Sequence, residues 1–449
     1  MRKLGVMFMG KPIVAIVGRP NVGKSTLFNK IAGKRIAIVE DRPGVTRDRN
    51  YTKVEWLNNE FNLIDTGGIE PDSTEIIPAQ MRRQAELAIE TADVIVFMVD
   101  GREGLISSDI EIADMLRRSK KPIVLAVNKV DTKESSPHLY DFYELGLGDP
   151  MEISSSLGLG IGDLLDEIIK HFPTEDSSEE DEDVIKVAII GKPNVGKSSI
   201  LNKILGEERV IVSNIAGTTR DAIDTPFTDG EDKYIFIDTA GVRRKSRITD
   251  NVERYSVIRS LAAIERADVC LLVIDAQEGI TEQDKRIAGF SHEEGKGLII
   301  VVNKWDLIEK ETNTMNQYIK RIRNELAFCD YAPILFISAL TGQRLPKVLE
   351  KIKFVSNQHS LRIPTGVLND IIGEAMLLKQ PPSDKGKRLR IFYATHASVK
   401  PPTFILFIND KELMHFSYQR YIENRIRENF GFEGTPIVFI NRERSGDDR

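Results

Sequence analysis

Short, wholly apolar runs alternate with amphipathic stretches along most of the chain. Residues 12–17 form a β-branched run that feeds a glycine-rich loop, and residues 25–32 beyond it carry helical spacing. Residues 93–99 and 122–127 are almost continuously apolar, the mark of strands covered on both faces. Residues 51–57 and 61–65 flank Asn58, Asn59 and Glu60 and predict a hairpin that adds one antiparallel strand. Strand–helix alternation of this kind predicts a doubly wound, mostly parallel α/β sheet, whose ligands sit at the carboxyl ends of the strands.

The pattern occurs twice. Gly18-Arg19-Pro20-Asn21-Val22-Gly23-Lys24-Ser25 returns as Gly191-Lys192-Pro193-Asn194-Val195-Gly196-Lys197-Ser198, an offset of 173. Asp65-Thr66-Gly67-Gly68 returns as Asp238-Thr239-Ala240-Gly241 at the same offset, and so does Gly44–Asp48 as Gly217–Asp221. Asn128-Lys129-Val130-Asp131 returns as Asn303-Lys304-Trp305-Asp306 at 175, and Ile153-Ser154-Ser155 as Ile337-Ser338-Ala339 at 184. A period this long is a whole domain rather than a solenoid unit. The offset grows only late, so insertions lie after the fourth motif, where a surface loop absorbs them.

These repeats divide the chain into a first domain (12–172), an acidic linker (173–184), a second domain (185–354) and an unrepeated remainder (355–449). The stretch 174–183 holds seven acids and no base and reads as a solvated linker. The remainder predicts a helix (365–378), strands (388–395 and 404–410), a helix (418–429) and a strand (436–440), giving α-β-β-α-β. It carries 14 Lys and Arg against 11 Asp and Glu in a chain of net charge -6, a weak hint of a polyanionic partner. Two cysteines exclude a disulfide framework, and the six histidines form no cluster; Cys270 lies in an apolar run and reads as core. No apolar run reaches membrane-spanning length, and the expectation is a cytoplasmic protein.

The first motif, GxxxxGKS between strand and helix, is a phosphate-binding loop. Its backbone amides and the helix dipole would cradle phosphates, Lys24 and Lys197 would reach the β- and γ-phosphates, and Ser25 and Ser198 would ligate Mg²⁺. Asn-Lys-x-Asp selects the base. A carboxylate accepts from the two adjacent donors of guanine, its ring N–H and exocyclic amine, whereas adenine offers no such pair. Asp131 and Asp306 would make that selection. Asn128 and Asn303 would bond the other edge of the base and tie the loop together, with Lys129 and Lys304 covering the ring; Val130, Trp305, Ser154 and Ser338 complete the base side. Asp65 and Asp238 would hold Mg²⁺ through water, with Thr66, Gly67, Thr239 and Ala240 beside them. Amides of Gly68 and Gly241 would meet the γ-phosphate, and Thr46 and Thr219 would ligate Mg²⁺ when triphosphate is bound.

Together these motifs resemble those of the translation-factor-related small GTPases. Two such domains followed by a small α/β domain resemble the bacterial double-Era-like GTPases over essentially the whole chain, residues 1–8 standing outside the pattern. The resemblance implies a GTPase associated with the large ribosomal subunit, through its rRNA and proteins, and needed for its maturation. It further implies a KH-like C-terminal domain and, as an expectation, a monomer without membrane partners. The glutamine that orients water in the familiar template is absent: Ile69 and Val242 stand there, so either the domains only bind GTP or another group positions the water. In related GTPases with Asn at the position of Asn21 and Asn194, that residue helps hold K⁺ beside the phosphates; a plain turn former is the alternative.

The last domain is less informative. Gly431-Phe432-Glu433-Gly434 matches the GxxG of RNA-gripping KH domains but lies between helix and strand and carries an acid, so a turn is the simpler reading. Lys385, Lys387, Arg388, Arg390, Lys400, Arg420, Arg425 and Arg427 are candidate RNA contacts, or an ordinary solvated surface. The basic run Arg243-Arg244-Lys245-Ser246-Arg247, just past the second DxxG, would move with the nucleotide or simply be solvated.

Overall fold

The computed structural model describes residues 11–33, 50–67, 77–132, 136–172, 184–206, 224–237, 252–384 and 386–443. The first domain runs β1 (Ile13–Val17), α1 (Lys24–Ala32), β2 (Tyr51–Trp56), β3 (Asn59–Asp65), α2 (Ile77–Thr91), β4 (Val94–Asp100), α3 (Ser107–Arg118), β5 (Ile123–Asn128), β6 (Met151–Glu152) and α4 (Ile161–Lys170). Its strands lie in the order β2-β3-β1-β4-β5-β6 and are parallel except for the β2–β3 pair.

Alternate residues of the central strands feed two separate cores, which is why these runs read as continuously apolar. Ala15, Val17, Ile95, Phe97 and Val99 pack with Ala85, Ala88, Ile112 and Leu116 of α2 and α3. Val14, Ile16, Val94, Val96 and Met98 pack with Leu27, Ile31, Leu164 and Ile168 of α1 and α4. The hairpin turn falls on Leu57 and Asn58, one residue earlier than the sequence pattern places it, with Trp56 opposite Asn59. Both turn residues have positive φ (47° and 65°), the conformation that matches the twist of the flanking strands in a two-residue loop.

The second domain repeats this plan with β7 (Val184–Ile190), α5 (Lys197–Gly206), β8 (Thr225–Asp229), β9 (Asp232–Ile237), α6 (Val252–Arg266), β10 (Val269–Asp275), α7 (Glu282–Glu293), β11 (Gly297–Asn303), α8 (Thr314–Glu325), β12 (Ile334–Phe336) and α9 (Pro346–His359). Its order, β8-β9-β7-β10-β11-β12, is that of the first sheet element by element. Helix α9 continues through residues 354 and 355, where the sequence pattern changes, so the last domain's first element of its own is α10 (Thr365–Leu378). Buried Cys270 and Cys329 are core, as the apolar run around Cys270 indicates, and burial pushes both thiols up to about 12.

After α10 come a two-residue hairpin, β13 (Ser383–Asp384) and β14 (Lys387–Arg388), then β15 (Ile391–Ser398), β16 (Thr403–Ile408), α11 (Phe416–Phe430) and β17 (Val438–Glu443). β15 and β16 pair antiparallel, β16 and β17 parallel. Leu368, Ile372 and Ala375 of α10 and Tyr418, Ile422 and Ile426 of α11 cover one face, against Ala394, Phe404, Leu406 and Ile408.

Apart from residues 252–262 of α6, the second domain and the third pack as parts of one unit. The Gly431–Gly434 turn seats the last domain: Gly434 donates to the Tyr331 carbonyl (2.8 Å) and its own carbonyl accepts from Leu298 (2.7 Å). Gly434 has φ 82°, and a Cβ there would lie 2.3 Å from Val355 Cγ2, so only glycine fits. His359 Nδ1 and Thr435 Oγ1 meet at 2.6 Å in the same seam. Among the described residues, no helix is long and apolar enough to cross a membrane.

Candidate functional site

Each described motif falls at the carboxyl end of a strand. The loop after β1 enters α1 through Gly23 (φ 101°), and the loop after β7 enters α5 through Gly196 (φ 101°). Asn21 and Asn194 share φ 64°, so the two loops follow one backbone path. Neither asparagine has a side-chain hydrogen bond among the described residues, and both are exposed.

The lysine of each loop folds back over it. Lys24 Nζ donates to the carbonyls of Gly18 (2.5 Å) and Arg19 (2.8 Å). Lys197 Nζ donates to those of Gly191 (2.6 Å) and Lys192 (2.5 Å). Burial lowers both ammonium groups to about 8; Asp65 opposes this at Lys24 and Asp284 at Lys197. An anion in the loop would favour the ammonium form that burial disfavours.

Ser25 Oγ donates to Asp65 Oδ2 (2.6 Å), and Asp65 Oδ1 accepts from Gly67 (2.8 Å). Buried Thr66 donates to the Ile16 carbonyl (2.6 Å) and so fixes the end of β3 against β1. The oxygens of Ser25 and Asp65 form a hard donor pair beside the loop lysine. Thr46, Gly68, Ile69, Thr219, Asp238, Thr239, Ala240, Gly241, Val242 and Arg243 to Arg247 lie outside the described residues.

Asn128 and Asn303 are the hubs. Asn128 Nδ2 donates to the Val22 carbonyl (2.6 Å), and its Oδ1 accepts from Ser155 N and Oγ (2.9 Å each). Asn303 Nδ2 donates to the Val195 carbonyl (2.8 Å), and its Oδ1 accepts from Ala339 N (2.9 Å). Phosphate loop, base loop and fifth motif are thus locked together in both domains. The tie expected of these residues is observed, with both ends of each buried amide committed to it. Further stitches are Val130 N to the Ile153 carbonyl (3.1 Å) and Trp305 N to the Ile337 carbonyl (3.0 Å).

Lys129 and Lys304 take positive φ (71° and 61°) and send their ammonium groups to Asp100 and Asp275, each at 2.5 Å. Burial of Asp100 works against its ionisation, yet bonds from Lys129 and the amides of Arg102 and Glu103 hold its carboxyl below the usual range. These strand-end aspartates were missed in the sequence. A signal existed, since Asp-x-x-Glu-Gly at 100–104 recurs at 275–279. The same segment anchors the second residue of each phosphate loop: Arg19 pairs with Glu103, its Nε 3.7 Å from buried Asp109, and Lys192 pairs with Glu278 (3.0 Å).

Of the basic candidates in the last domain, several have internal duties. Arg427 bonds Glu423 and the carbonyls of Phe432 and Thr435 and sits 5.0 Å over the Tyr331 ring. Arg425 pairs with Glu428 and Glu374, Arg420 with Asp330, and Lys400 lies 3.8 Å from Asp268. Lys387, Arg388 and Arg390 are exposed, and Lys385 lies outside the described residues.

Comparison with known proteins agrees with this architecture. Residues 13–129 and 186–304 each match the family model described as 50S ribosome-binding GTPase, and residues 362–442 match the KH-domain-like C-terminal domain of EngA bacterial GTPase enzymes. A protein of Alkaliphilus oremlandii called GTPase Der is 73% identical over 440 residues, 98% of this chain and 100% of that one. The chain belongs to the GTPase Der family. The Der proteins of Alkaliphilus metalliredigens and Ruminiclostridium cellulolyticum are 75% and 64% identical, over 98% and 97% of this chain and 100% and 99% of their own. A solved structure of Era in complex with MgGDPNP and nucleotides 1506–1542 of 16S ribosomal RNA covers 58% of this chain and 93% of its own at 26% identity, with a TM-score of 0.31. This Der-family chain is a GTP-hydrolysing enzyme with two G domains and a KH-like C-terminal domain.

Proposed function

We propose that the two G domains bind GTP at the strand-end sites and act as a switch in maturation of the large ribosomal subunit. The observation that carries this reading is the match of both G domains to a family described by 50S ribosome binding. In each site the phosphate-loop amides and Lys24 or Lys197 hold the phosphates, and Asp131 or Asp306 reads the base. Ser25 and Asp65 are suited to Mg²⁺, the first directly and the second through water; Ser198 and Asp238 take these roles in the second site, with Thr46 and Thr219 joining in the triphosphate state. We place the domains at residues 12–172, 185–354 and 355–449, with α9 shared across the last boundary, and we take the protein to act in the cytoplasm.

Asn21 and Asn194 fit a K⁺ role, since their exposed amides lack protein partners among the described residues and the water-orienting glutamine is absent. Hydrolysis should therefore run faster in potassium than in sodium at equal ionic strength. Equal rates in the two salts would remove K⁺ from the account.

RNA contact in the last domain is better supported on its open sheet face than at the GxxG match, whose Gly434 is engaged by Tyr331 and Leu298. On that face Tyr393 and Phe407 stack at 4.1 Å, and exposed Arg442 stands opposite Phe407. Aromatic faces and an arginine are what bases and phosphates require. Co-sedimentation with purified large subunits tests the switch: binding is expected with a non-hydrolysable GTP analogue and should weaken steeply with salt. Equal binding with GDP or without nucleotide would refute it.

A further inference from the structure

The two sites are alike in backbone but not in what surrounds the base-reading carboxylate. In the first site Asp131 is fully engaged: Oδ2 accepts from the Arg102 guanidinium, and Oδ1 accepts from Ser154 Oγ (2.5 Å) and Ser156 Oγ (3.3 Å). The Ser154 hydroxyl and, after it, the Arg102 guanidinium hold this carboxyl below its usual range. In the second site the residue aligned with Arg102 is Gln277, and the residue aligned with Ser156 is Leu340, an exposed side chain without a donor. Asp306 Oδ1 is buried there with no hydrogen-bond partner among the described residues.

Guanine presents two donors to this carboxylate and needs both oxygens. At the second site no guanidinium holds either oxygen among the described residues. At the first, Arg102 already holds one of the two.

We propose that Arg102 is a specificity-determining latch on the first site, competing with the guanine base for Asp131 so that the first site binds guanine nucleotide more weakly than the second. The inference rests on the reading of Asp131 and Asp306 as base selectors. Arg102 is exposed (64%) and can swing into solvent, so the latch tunes affinity without blocking the site. An exposed ion pair of this kind shifts binding by about two- to fivefold, and salt screens it. The first site should therefore gain on the second as ionic strength rises.

The test is GDP titration of the full chain with one site silenced at its phosphate-loop lysine. With Lys197→Ala silencing the second site, Arg102→Gln should tighten GDP at the first site about two- to fivefold at low salt, and the gain should shrink at high salt. With Lys24→Ala silencing the first, Gln277→Arg should loosen GDP at the second by a similar factor. An Arg102→Gln variant that binds GDP more weakly, or equally at every salt concentration, overturns the latch. Asp131→Asn in the Lys197→Ala chain separates the two ideas: if it leaves GDP binding untouched, the base-selector assignment has failed, and the latch with it.

Discussion

Gly23→Ala should cost the first site its nucleotide while leaving the second intact, and Gly196→Ala should do the reverse. Both glycines sit at φ 101°, where a side chain is strained by about 1–3 kcal/mol. A Cβ at Gly23 would lie 2.3 Å from Asn128 Nδ2, and one at Gly196 would lie 2.2 Å from Asn303 Nδ2. The asparagine is the hub tying phosphate loop to base loop, so displacing it breaks bonds from both ends of a buried amide. Each group left unsatisfied adds roughly 1–3 kcal/mol. The combined penalty predicts GDP binding weaker by about a hundredfold or more at the altered site. A titration with fluorescent GDP should show stoichiometry falling from two to one in either variant. Unchanged affinity at the altered site would show that the asparagine hub does not shape it.

Asp306→Asn should weaken GDP at the second site by about 10- to 150-fold, the worth of a charged hydrogen bond of roughly 1.5–3 kcal/mol. It should also improve binding of a xanthine nucleotide, whose carbonyl replaces the exocyclic amine of guanine and can accept from the new amide. Asp131→Asn should do the same at the first site, with a smaller loss because Arg102 already competes for that carboxylate. Competition between GDP and xanthosine diphosphate measures both effects. A variant that still prefers GDP by the wild-type margin would mean that the base is read elsewhere.

Most of the described part of the candidate site was legible in the sequence because its parts are local and repeated. Glycine spacing, a lysine after it and an Asn-Lys-x-Asp at the end of an apolar run each demand a particular backbone or donor set within a few residues. Other features were not legible, since they depend on which strands become neighbours. Asp100 meets Lys129 because β4 and β5 pair in parallel, and the register sets Asp100 beside Asn128. Arg102 reaches Asp131 for the same reason. The Gly431–Gly434 turn was readable as a turn, but its seat against Tyr331 and Leu298 belongs to the fold. The change of pattern near residue 355 was real in composition, yet α9 runs through it, because Val348, Ile352 and Val355 keep one apolar face against the second domain's core.

The claim at the centre of this account is that one chain carries two complete guanine-reading sites. Calorimetric titration of the full-length wild type with GDP, repeated with ADP, tests it most directly. The account predicts two GDP bound per chain, in two phases of unequal affinity at low salt, and no saturable heat with ADP. A single GDP per chain, or ADP binding that matches GDP, would contradict it.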